Sequence, residues 1–97
     1  MPEFILLCQD RKASLELRKA TRAAHLDYVA GSQTSVLLAG PLLDDSGQPE
    51  GSMLIISAQD KKAAKHFADN DPYALAGLFA QVEIRPYLIV KANIEAK

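Results

Sequence analysis

Two arginines and a histidine, Arg18, Arg22 and His25, follow one another at intervals of four and three in the stretch RKATRAAHLDYV. Those intervals bring side chains onto one face of a helix. An imidazole titrates near neutral pH and can move protons, and a guanidinium offers a fixed fork of donors to carboxylates, phosphates or enolates. Sheltered from water, such a trio could hold an anionic or carbonyl-bearing ligand beside a general acid or base.

Whether it is sheltered depends on the helix that carries it. Residues 14 to 30 combine helical spacing with strong helix formers, and Gly31 supplies a stop signal. At about 100° per residue, Glu16, Lys19 and Asp27 define a solvent face. Arg18 and His25 fall on the far side, between one apolar cluster of Leu15, Leu26 and Val29 and another of Leu17, Ala24 and Tyr28, and Arg22 lies close by, at the first cluster. All three are expected to point inward or along a cleft edge. Unpartnered guanidinium groups are costly to bury. These must meet a ligand, meet carboxylates, or reach water on their long stems.

Length and composition limit the rest. Ninety-seven residues make one domain, 1–97, and 48% hydrophobic with 24% charged residues is ordinary globular composition. A net charge of −1 lacks the basic footprint of a nucleic-acid or membrane-surface binder. A chain this short builds a thin core, which favours a homodimer. Cys8 is the single cysteine and lies in an apolar run, the setting of a buried thiol. The start of the chain lacks the pattern of a secretory signal, and no run reaches the roughly 20 apolar residues of a membrane span. The expected location is cytoplasmic. No Walker loop, GxGxxG, HExxH or GxSxG occurs, so nucleotide, zinc and serine-hydrolase chemistry have no motif, and no metal site is expected.

Along the chain, Phe4 to Cys8 suits a buried strand. Ser35 to Leu43 suits a second, with Gly40-Pro41 marking a bulge or strand end. Asp44 to Gly47 carries turn residues, Pro49 and Gly51 extend the loop, and Met53 to Ser57 is the next strand. Asp60 can cap a second helix that ends at Asp71-Pro72. A short turn fits within residues 74 to 79, Val82 to Val90 is the last strand, and 91–97 form a tail. The order β-α-β-β-α-β predicts a ferredoxin-like α+β domain: a four-stranded antiparallel sheet with two helices on one face.

LELR-xxx-R-xx-HL on the first helix, LLAGP on the second strand, GS opening the third and DPYxxAGL after the second helix together resemble the YciI-like (YCII-related) family. The similarity runs from Gln9-Asp10 to Pro86. It implies a dimeric α/β barrel, an architecture shared with muconolactone isomerase and a dehydrochlorinase. It also implies a His-Asp pair, which maps onto His25 and Asp71.

Two readings are open. In the first, His25 is the acid or base of a proton-transfer reaction, an isomerisation or elimination on a small, cyclic or carbonyl-bearing substrate. Asp71 then fixes its tautomer, Arg18 and Arg22 hold anionic groups, Ser52 and Tyr73 donate hydrogen bonds, and no metal or organic cofactor is required. In the second, the same residues belong to a non-catalytic dimeric module that binds a small acidic metabolite or a partner enzyme. His66 lies in a solvated stretch, and turn chemistry accounts for Asp44 and Asp45.

Overall fold

A computed structural model describes residues 1–32 and 35–96. Strand β1 spans Glu3–Asp10, helix α1 Leu15–Gly31, β2 Val36–Leu43, β3 Pro49–Ser57, α2 Lys61–Asp69, the single turn α3 Pro72–Leu75, and β4 Phe79–Tyr87. The strands form one antiparallel sheet in the order β2-β3-β1-β4. This is the ferredoxin-like arrangement expected from the order of elements.

Alternation along β1 decides where the core lies. Phe4, Leu6 and Cys8 are buried and face Ile56, Leu54 and Ser52 of β3 across the ladder. Against this row α2 lays Ala64 and Ala68, small enough to let the helix settle close to the sheet. Each large side chain buried there contributes roughly 1.5–3 kcal/mol. Ser52 is the polar member of the row, and Asp10 closes the β1 side of it.

The boundaries depart from expectation at three places. β3 begins at Pro49, because the hairpin turn is confined to Asp44–Gln48: Asp44 N–H donates to the Gln48 carbonyl, and its own carboxylate accepts from Ser46 and Gln48. β2 runs through Gly40-Pro41 without ending. β2 and β4 are both edge strands, where the missing donor of Pro41 or Pro86 is tolerated. Strand β4 runs from Phe79 to Tyr87, not from Val82 to Val90, so the irregular tail begins at Leu88.

The early start of β4 carries an irregularity. Cys8 faces Val82 and Gln9 faces Gln81, but Asp10 faces Phe79, leaving Ala80 as an extra residue. One extra residue in a period-two strand reverses the face taken by what lies beyond it. Phe79 is thereby turned from the open side of the sheet to the helix side, where it packs against the core.

The open side carries Ile5 and Leu7, Met53 and Ile55, and Leu38 and Leu42 from β1, β3 and β2; β4 presents Gln81, Glu83, Arg85 and Tyr87. Among the described residues no helix is long and apolar enough to cross a membrane.

Candidate active site

Helix α1 buries a narrower arc than its apolar pattern suggests. Arg18 and His25 are buried, as their positions require, but Arg22 is exposed. Leu26, expected in the same cluster as Leu15 and Val29, is 45% exposed. Arg22 lies at that margin of the arc, and its long stem carries the charge outward. Its expected inward orientation is therefore corrected. It remains near enough to Tyr73 for its charge to favour the ionised phenol.

Arg18 has its partners within the chain. Its Nε donates to Asp10 Oδ2 at 2.6 Å and its Nη2 to Asp10 Oδ1 at 2.9 Å, a two-pronged pair with both side chains almost fully buried. The same Nη2 donates to Ser52 Oγ at 2.9 Å. Burial works against the guanidinium charge, but the hydrogen bond and charge of Asp10 outweigh it and hold the Arg18 pKa above its usual value. Asp10 was not among the residues singled out by the sequence, where it read as strand-end punctuation. The available signal was parity: it shares a face with Phe4, Leu6 and Cys8, so a carboxylate ends a buried row.

Asp71 owes its position to Pro72. The residue before a proline is driven to extended backbone, and Asp71 has φ −61° and ψ 131°. From there it caps α3, its Oδ1 accepting from Tyr73 N–H at 2.9 Å. The carboxylate also meets His25 Nδ1, at 2.9 Å to Oδ1 and 3.0 Å to Oδ2, in a buried pair. A carboxylate can only accept, so Nδ1 carries the hydrogen, and Nε2 of a neutral ring is left as the free base. Nε2 makes no hydrogen bond among the described residues and keeps contact with solvent.

Tyr73 joins the two pairs. Its ring stacks on the His25 imidazole with centroids 4.1 Å apart and an angle of 17° between planes, and the Arg18 guanidinium lies 4.6 Å from its centroid. Phe79, turned inward by the extra residue in β4, meets Tyr73 edge-on at 5.9 Å. Burial raises the Tyr73 hydroxyl pKa, so the phenol stays a neutral donor, although Arg18 and Arg22 oppose the rise. Beneath them Cys8 is pushed up to about 12, first by burial and then by the Asp71 charge, and is an inert thiol.

A groove of about 790 Å³ runs between the β1–α1 connection and the β2–β3 hairpin, lined among others by Asp10, Lys12, Leu42 and Glu50. Of the polar cluster only Asp10 borders it; His25, Asp71 and Tyr73 do not line it. The chemistry of the side chains, rather than this groove, marks the cluster as the candidate site. Among the described residues no group of three or more His, Cys, Asp or Glu side chains is arranged to hold a metal ion. His66 lies elsewhere, on the exposed side of α2.

A ferredoxin-like sheet with a His-Asp pair under its first helix defines a class of small α+β proteins, and the comparisons narrow it. Residues 3–88 match the YCII-related domain, and the chain belongs to that family. Protein YciI of Escherichia coli is 34% identical over 92 residues, covering 87% of this chain and 94% of the relative. An uncharacterised protein of Haemophilus influenzae is 35% identical with the same coverage. Among solved structures, a 5-chloro-2-hydroxyhydroquinone dehydrochlorinase from Burkholderia phenoliruptrix, in complex with 2,5-dihydroxybenzoquinone, is similar with a TM-score of 0.81 and 33% identity. That match covers 89% of this chain and 93% of the dehydrochlorinase. A candidate antibiotic biosynthesis monooxygenase from Bacteroides thetaiotaomicron shares the fold alone, with a TM-score of 0.60 at 12% identity over 99% of this chain and 95% of the other.

Proposed function

We propose that this chain is a small-molecule enzyme in which His25 moves a proton on a small hydroxylated or carbonyl-bearing ring, isomerising it or eliminating a leaving group. The observation that carries the reading is the buried His25–Asp71 pair, which leaves Nε2 without a partner among the described residues and in contact with solvent. Nε2 takes the substrate proton, the Asp71 carboxylate stabilises the imidazolium so formed, and the proton returns to product or to water. This chemistry calls for no metal or organic cofactor. The likeness to the dehydrochlorinase supports a hydroxylated ring as substrate and elimination as one outcome.

The geometry redistributes the roles expected of the other residues. Arg18 is committed to Asp10 and Ser52, so an anionic group on the ligand falls to Arg22 at the rim. Ser52 Oγ accepts from Arg18, which leaves its hydroxyl hydrogen for a ligand. Tyr73 supplies a flat wall and a neutral hydroxyl donor. The test uses 2,5-dihydroxybenzoquinone for binding by calorimetry and 5-chloro-2-hydroxyhydroquinone for chloride release. Binding or turnover that is lost in His25→Ala at nearly unchanged melting temperature is expected. Wild-type protein that neither binds nor turns over these compounds removes the hydroxylated ring, and binding unchanged by His25→Ala removes the histidine. Binding lost with His25 but without turnover of any such ring favours the non-catalytic module.

We also propose a homodimer closed through the open sheet face. Ile5, Leu7, Leu38 and Met53 are half-buried on a face that helices leave uncovered, and an apolar face of this kind marks an interface. Sedimentation at micromolar concentration should give twice the chain mass, and Met53→Glu should halve it. A wild-type monomer would overturn the dimer.

A further inference from the structure

The proposed chemistry uses His25 and Asp71, yet the cluster holds a second buried ion pair that takes no part in it. A buried pair is expensive: removing one partner is strongly destabilising, while an apolar replacement of the whole is often harmless. What Arg18 and Asp10 do with their geometry therefore matters more than their attraction. Both carboxylate oxygens of Asp10 are engaged, and Ser52 takes a further guanidinium hydrogen, so the plane of Arg18 is fixed at three points. That plane lies against Tyr73, whose ring stacks on His25 and whose backbone N–H holds the Asp71 carboxylate. Arg18 and His25 sit two turns apart on α1, about 10 Å along its axis, and both reach the same ring.

Asp10 itself is held at the strand end by the connection that follows it. Arg11 N–H donates to the Leu78 carbonyl at 2.8 Å and Arg11 Nε to the Gly77 carbonyl at 2.9 Å. The segment from Asp71 to Leu78 is in this way tied to α1 at one end, through the aromatic stack, and to the β1–α1 connection at the other, through Arg11.

We propose that Asp10 is a positioning residue of the site, acting through Arg18 and Tyr73 to set the orientation of the His25 imidazole. This rests on the reading of His25 as the working base, but its test does not. The carboxylate fixes the guanidinium, the guanidinium fixes the phenol ring, and the phenol ring limits rotation of the imidazole about its bond to Asp71. Ser52 shares the task by accepting the second hydrogen of Arg18 Nη2.

The test reads His25 directly by NMR. In the wild type the His25 ring protons should lie upfield, shielded by the stacked Tyr73 ring, and His66 serves as an internal reference on the exposed side of α2. Asp10→Asn keeps the shape and removes the charge; the upfield displacement of the His25 protons should be lost or averaged while the His66 signals stay in place. Because Asp10→Asn strands a buried guanidinium and can cost folding outright, the double variant Asp10→Asn/Arg18→Met is measured beside it. That variant restores an uncharged interior without restoring a fixed plane, and it too should lose the displacement. Arg18→Lys, a charge without the planar fork, should behave likewise. His25 signals unchanged in a folded double variant would overturn the proposal and leave Asp10 a purely structural partner. Loss of ligand binding in His25→Ala alongside unchanged His25 signals in the Asp10 variants would sink the positioning role while leaving the proposed function standing.

Discussion

Replacing Asp71 with asparagine separates the two tasks that residue performs. The first is capping: Oδ1 accepts from Tyr73 N–H at 2.9 Å, and asparagine caps a helix about as well as aspartate, so little stability is lost there. The second is the bond from His25 Nδ1, which the carboxylate accepts at 2.9 and 3.0 Å. Hydrogen bonds to a charged partner contribute roughly 1.5–3 kcal/mol and neutral ones about half that, so Asp71→Asn should cost about 1 kcal/mol of folding stability. The cost to chemistry should be far larger. The amide keeps its oxygen for Tyr73 and turns its NH₂ toward the ring, so Nδ1 must accept and the hydrogen moves to Nε2, abolishing the free base. The same change in a serine-protease triad lowers turnover by about 10⁴-fold, equivalent to about 5.4 kcal/mol of barrier. Long-range ¹⁵N–¹H correlation of the His25 ring reports the tautomer without any substrate, and denaturant unfolding gives the stability. A variant whose Nε2 remains unprotonated, or a wild type already protonated at Nε2 with Nδ1 bare, would refute the assigned direction of the His25–Asp71 bond.

Three further outcomes follow from particular contacts. In Gly51→Ala the new methyl would run into the backbone carbonyl oxygen of Cys8, which no side-chain rotation relieves; a loss of about 1–3 kcal/mol in denaturant unfolding is expected, and an unchanged midpoint would mean the β1–β3 ladder yields freely. Cys8, buried with a thiol pKa raised to about 12, should resist iodoacetamide at pH 8 until the protein is unfolded; labelling of the native protein would contradict its burial. Asp44 is held below the usual carboxylate range by Ser46 and then Gln48, so its contribution is complete above the ordinary aspartate pKa and is lost as pH falls through the lowered one. The stability gap between wild type and Asp44→Ala should therefore be open at neutral pH and close toward low pH, and a gap independent of pH would exclude the carboxylate as its cause.

How much of this was legible in the sequence varied with the kind of signal involved. Apolar runs, the Asp60 cap and the Asp71-Pro72 break are local, and they gave the order of elements and hence the fold. Helical periodicity located Arg18 and His25 on the inner face of α1, but it could not rank them against Arg22, because a long side chain at the margin chooses water when packing leaves it a route. Asp71 was reached through the family resemblance, since a carboxylate before proline is in itself only a cap. Asp10 and the stacking role of Tyr73 were missed because both depend on contacts between elements distant in the chain. The limits of β4 were missed for a related reason: an unpaired residue leaves no trace in the alternation of the sequence, and Phe79 lay beyond it.

That unpaired residue makes part of the site depend on a count. Phe79 reaches Tyr73 only because one residue more stands in β4 than in the stretch of β1 it faces. Almost any side chain at position 80 would preserve this, whereas a regular pairing of Ala80 with Asp10 would turn Phe79 to the open face and take away the edge support of Tyr73. The sheet could remain intact and the composition of the site unaltered, yet one wall would be gone. The pairing at this one point, rather than the identity of residue 80, therefore decides whether Tyr73 has its edge-on neighbour.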